Sequence, residues 1–132
     1  MLALAGVDAV LERVQAICLA LPEAVETASG RPAFSVRKKT FVMYMDDHHG
    51  DGRLALWCKA APGAQEILVG ADADRFFVPP YVGPQGWVGV QLDRRPTDWA
   101  MVESLIVDGY LLQAPKRLAA GVSGRASQGV RE

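Results

Sequence analysis

The chain has 132 residues, half of them hydrophobic and 22% charged, and 14 Lys plus Arg against 15 Asp plus Glu leave a formal charge of −1. This length suits one domain with its own core, and the composition excludes intrinsic disorder. The charge balance excludes nucleic-acid binding through a global basic field, and two cysteines exclude a disulfide framework.

The stretch Met1 to Leu21 is apolar but carries Asp8, Glu12 and Arg13. It lacks a basic leading region and a long uninterrupted apolar run, so it reads as neither a signal peptide nor a membrane span. The spacing predicts a helix in which Asp8 caps the N-terminus and Val10, Leu11, Val14, Ile17, Cys18 and Leu21 share one face. Pro22 stops it. Glu26-Thr27-Ala28 reads as a short edge strand before a loop at Gly30, Arg31 and Pro32. Phe34 to Arg37 alternates, Lys38-Lys39 turns, and Thr40 to Met45 is aromatic and β-branched, which predicts a hairpin. A polar loop, Asp46 to Gly52, leads into a strand over Leu54 to Cys58.

Pro62 suits the first position of a short helix through Glu66, Ile67 and Leu68. Arg75 to Val78 predicts a strand ended by Pro79-Pro80, Tyr81 to Gln85 a loop, and Trp87 to Leu92 another alternating strand. Thr97 or Asp98 caps a last helix whose stripe is Trp99, Val102, Leu105, Ile106, Gly109 and Tyr110, and Pro115 breaks it. Helix, three or four strands, helix, two strands, helix implies an α+β fold of two layers: an antiparallel sheet with helices on one face. The domain is expected over residues 1–121, with a frayed tail over 122–132. The expectation is a cytoplasmic protein with no membrane association, a monomer by default.

Strand alternation sorts side chains by face. With Phe34, Val36, Phe41, Met43, Met45, Leu54, Leu56, Cys58, Val88, Val90 and Leu92 inward, the outer face shows Ser35, Arg37, Val42, Tyr44, Trp57, Lys59, Trp87 and Gln91. Tyr44, Trp57 and Trp87 beside cations form a candidate face for stacking on bases or planar ligands. The competing expectation is that the loop Pro79 to Gln85, or a second subunit, packs on those rings. One bulge would flip part of the set. Between Arg31 and Lys59 lie six cations, and Arg37, Lys38, Lys39, Arg53 and Lys59 are the dense group that a phosphate backbone would meet. An ordinary solvated turn explains the same residues.

Asp46, Asp47, His48, His49 and Asp51 hold metal-capable groups, but no other Cys or His stands at ligand spacing, and a polar loop without metal is expected. Cys58 precedes Lys59, which would lower a thiol pKa, yet its inward parity favours an inert buried thiol. Ser29, Ser35 and Ser104 have no base-and-acid context, and the chain contains no Asn, P-loop, G-x-G-x-x-G or C-x-x-C. A domain without catalytic residues, cofactor or metal is the expectation.

Leu21-Pro22-Glu23 with Glu26, then Pro32 to Phe41, Lys59 with Pro62, the strand Gly86 to Asp93 and the helix Asp98-Trp99 to Tyr110 together resemble the MmcQ/YjbR family. The resemblance covers about Leu2 to Ala120 and implies a frataxin-like or secretion-chaperone-like sheet backed by helices. Because that family is described as a double-wing DNA-binding-motif domain, the resemblance also implies DNA as a partner. A binding domain is therefore expected, engaging DNA weakly through the hairpin cations and aromatic face. The alternative is a small-ligand or protein-interaction domain using the same face.

Overall fold

Apolar residues at helical spacing form the first helix, α1, over Leu2–Leu19. Chain reversal at Pro22 leads into β1 (Ala24–Thr27), followed by β2 (Ala33–Val36), β3 (Lys39–Asp46) and β4 (Leu54–Cys58). Helix α2 (Ala64–Ala71), the two-residue β5 (Phe76–Phe77), a single 3₁₀ turn (Gly83–Gln85), β6 (Val88–Gln91) and α3 (Trp99–Gln113) complete the elements. Residues 116–122 add a short helix, α4, after Pro115. The computed structural model describes residues 2–27, 31–47, 50, 52–93 and 97–122, the side chains of residues 2–8 excepted. No helix among them is long and apolar enough to cross a membrane.

The strands form one antiparallel sheet in the order β1-β2-β3-β4-β6-β5. All the helices feed one core with the inner face: Val14 and Cys18 of α1, Val102, Ile106 and Tyr110 of α3, and Phe34, Val36, Leu56, Cys58, Val88 and Val90 of the sheet are buried together. The fold is thus the expected two-layer α+β arrangement. Asp98 caps α3 as expected, its carboxylate accepting from the Met101 amide at 3.1 Å.

Several local expectations are corrected. Helix α1 begins at Leu2, so Asp8 lies within it and does not cap it. Pro62 sits in the turn before α2, whose N-cap is Gly63 at φ +86°, a conformation that glycine adopts at no steric cost. Val122, expected to begin a tail, is buried in the main core. Ala28, Ser29, Gly30, His48, His49, Asp51 and the tail 123–132 lie outside the described residues.

The largest correction concerns β3. Phe34 pairs with Val42 but Ser35 pairs with Thr40, so Phe41 is an extra residue, a β-bulge. Phe41 and Val42 therefore both point into the main core, and every later side chain of β3 is on the opposite face from its simple alternation. Tyr44 goes in, while Met43 and Met45 go out. The bulge also serves packing. Phe41 meets Tyr110 edge-to-face at 5.5 Å between centroids, and its carbonyl accepts from the Lys59 amide. Gly109 lets α3 descend there: a Cβ on it would lie 3.0 Å from the Lys59 carbonyl oxygen and 3.1 Å from that of Phe41.

Candidate functional site

The outer sheet face is a second small core. Met45, Ala55, Trp57, Phe77 and Trp87 are buried together, with Met43 and Val82 packed against them. Trp57 is 2% exposed, Trp87 4% and Tyr44, on the other face, 4%. Val82 belongs to the loop between β5 and β6, so that loop packs on the rings. Gln65 of α2 ties it down by donating from Nε2 to the carbonyls of Gly83 at 2.9 Å and Trp87 at 2.6 Å. The Phe77 ring packs against Gly89, where an added Cβ would be 2.4 Å from it. The guanidinium of Arg53 covers Phe77 at 4.0 Å from the ring centroid. The stacking surface expected of Tyr44, Trp57 and Trp87 is therefore corrected: the first is on the wrong face, and the other two are covered.

The five candidate cations do not form one patch of equivalent groups. Arg37 and Lys38 are the two central residues of the β2–β3 turn, both at positive φ (+49° and +70°), as a type I′ hairpin demands. Arg37 is engaged by Glu23, whose carboxylate accepts from Nε at 2.5 Å and from an Nη at 3.0 Å. That bidentate contact holds the Glu23 carboxyl below the usual glutamate range. Lys38 and Lys39 are exposed at the hairpin tip, and neither makes an ion pair among the described residues. Arg53 is spent on Phe77. Lys59 faces another feature altogether.

That feature is a groove of about 680 Å³ between α2 and α3. One wall is Ala64, Ile67 and Leu68 of α2, and the other is Met101, Ser104, Leu105, Asp108, Leu111 and Leu112 of α3. Lys59, Ala60 and Ala61 make the floor. The gap follows from the sheet. Helix α3 packs mainly on β3, with β2 and β4 beside it, while α2 packs on β5 and β6. Those positions are two to three strands apart, or about 10–14 Å at ~4.8 Å per strand, which exceeds the ~8–10 Å of close helix packing. Alanines below leave the space unfilled. The apolar rims stay open to solvent, with Ile67 71% and Leu112 44% exposed. Asp108 is exposed on this rim, and its partial burial pushes its carboxyl above the ordinary aspartate range.

The sequence groups Lys59 with the hairpin cations, whereas the structure places it at the groove between α2 and α3, which the sequence reading did not contain. The groove's signal was present in Lys59-Ala60-Ala61 before α2, and in Ser104, Asp108 and Leu112 recurring every four residues along α3. Neither cysteine offers a nucleophile. Burial raises the Cys18 thiol far above its ordinary value and pushes Cys58 up to about 12, so both stay protonated at neutral pH. Among the described residues no group of His, Cys, Asp and Glu is placed to hold a metal ion. In the described part of the Asp46–Gly52 loop, Asp47 accepts the Gly52 amide at 2.7 Å.

The comparisons agree with this architecture. A crystal structure of the Deinococcus radiodurans protein DR2400, containing the domain DUF419, is similar over 86% of this chain and 87% of that one, with a TM-score of 0.68. At 19% identity this likeness shows the fold alone. No curated protein matches the chain. The sequence model of the YjbR family matches residues 19–112, from the end of α1 through nearly all of α3, and the chain belongs to the YjbR family.

Proposed function

We propose that this protein is a binding domain without catalytic activity, and that its working surface is the groove between α2 and α3, which takes a small apolar ligand. One observation carries the reading: a concave, mostly apolar cleft of about 680 Å³ with a few polar groups at its edge. Ligand sites commonly fall within ~300–1,000 Å³ and share that lining. The inert thiols support the non-enzymatic part. Titration with octan-1-ol, followed by backbone amide shifts, tests it. Shifts concentrated on residues 59–68 and 101–112 are expected. No shifts up to the solubility limit, or shifts confined to the loop over Trp57 and Trp87, would refute the reading.

Lys38 and Lys39, exposed at the hairpin tip and without an ion pair among the described residues, favour a second reading in which the domain binds DNA weakly. Two to four phosphate contacts would give a shallow dependence on salt. A fluorescence titration with duplex DNA at low salt, repeated on the Lys38→Glu, Lys39→Glu double variant, tests that reading. Equal binding by both proteins, or none by the wild type, contradicts it.

A further inference from the structure

Both helical walls of the groove are apolar, but α3 also presents Ser104 and Asp108, one turn apart, and Lys59 opens the floor. The two charges are not equivalent. The Lys59 ammonium ends a four-carbon stem and can reach water while the stem stays against the apolar floor. The Asp108 carboxylate sits one methylene from the helix backbone and cannot leave. Among the described residues no cation forms an ion pair with Asp108. An anionic ligand would lie against this fixed carboxylate. A cationic one would compensate it.

Resting on the groove as the binding surface, we propose that the ligand is an apolar amine whose ammonium group is held by the Asp108 carboxylate and the Ser104 hydroxyl. Its hydrocarbon part then lies between Ile67 and Leu68 on one side and Leu105 and Leu112 on the other. An ammonium donates up to three hydrogen bonds, enough for both oxygens. It also brings the opposite charge to a carboxylate that no cation pairs with among the described residues. A neutral alcohol of equal length gains the apolar contacts without the charge.

Calorimetric titrations at pH 7 with n-octylammonium, octan-1-ol and octanoate separate these contributions. The amine is expected to bind about tenfold more tightly than the alcohol, the scale of one charge-assisted contact at a partly solvated site. Asp108→Asn should erase that advantage, while Lys38→Met, at the exposed hairpin tip away from the groove, should preserve it. Both substitutions are at surface-accessible positions, and unchanged thermal midpoints would confirm that the fold is kept. Equal affinities for amine and alcohol overturn the proposal but leave the groove as a binding surface. Octanoate binding tightest, with loss in Lys59→Met, overturns it in favour of an acid. Failure of all three probes to bind removes the groove reading itself.

Discussion

Replacing Trp87 by alanine tests whether the outer sheet face is a core or a recognition surface. Trp87 is 4% exposed and packs with Trp57, Phe77, Met45 and Ala55 beneath the β5–β6 loop. An aromatic side chain buries about 150–250 Å². At ~25 cal/mol per Å² this corresponds to about 4–6 kcal/mol, an upper bound because unfolded chains already hide some apolar surface. Measured aromatic truncations of about 3–5 kcal/mol are the better expectation. A domain stable by about 5–15 kcal/mol would stay folded, though close to its limit if the wild type lies at the low end. Urea unfolding at 25 °C, followed by far-UV circular dichroism, reads the loss. Trp57→Ala should cost a similar amount, and the double variant less than the sum, because the two rings belong to one cluster. A loss below about 1 kcal/mol from Trp87→Ala would mean that the ring is not packed, and the second core would be refuted.

Three further outcomes follow from particular contacts. Gly109→Ala places a Cβ 3.0 and 3.1 Å from two backbone carbonyl oxygens; a net loss of about 1–2 kcal/mol is expected despite alanine's better helix propensity, and a stabilised variant would show that α3 can lift from the bulge. Lys38→Gly relieves a positive φ of +70° in the two-residue turn and should raise stability by about 0.5–1 kcal/mol, whereas a lowered unfolding midpoint would contradict the type I′ geometry. Because Arg37 lowers the Glu23 pKa, this pair stabilises above the ordinary glutamate pKa and its contribution is lost as pH falls through the folded value. Wild type should therefore exceed Glu23→Gln in thermal midpoint at neutral pH and converge with it in acid. A gap that persists in acid would contradict the ion pair.

The element order was legible because each segment carries its own period. The stripe Val102, Ile106, Gly109, Tyr110 and the alternation of Val88, Val90 and Leu92 each need only local spacing. Facing beyond Phe41 was not legible. A bulge inserts one residue without altering composition, and the reason for it lies far away, where α3 rests on the Phe41 and Lys59 carbonyls through Gly109. The cover over Trp57 and Trp87 was half legible. Pro79 to Gln85 announced a loop, but its anchoring by Gln65 joins residues about twenty positions apart through backbone carbonyls, which carry no sequence signature. The groove was hidden because it arises from the spacing of two helices on the sheet, a tertiary distance that no single segment encodes.

The central claim is that the cleft between α2 and α3 is where this domain binds. Ala61 is exposed on the floor of that cleft, so Ala61→Trp fills the space without disturbing either buried cluster. The deciding measurement is the calorimetric affinity for octan-1-ol of wild type and Ala61→Trp at matched thermal midpoints. The account predicts a loss of about tenfold or more in the variant, the scale set by a few apolar contacts. An affinity unchanged by the indole would place binding elsewhere and contradict it.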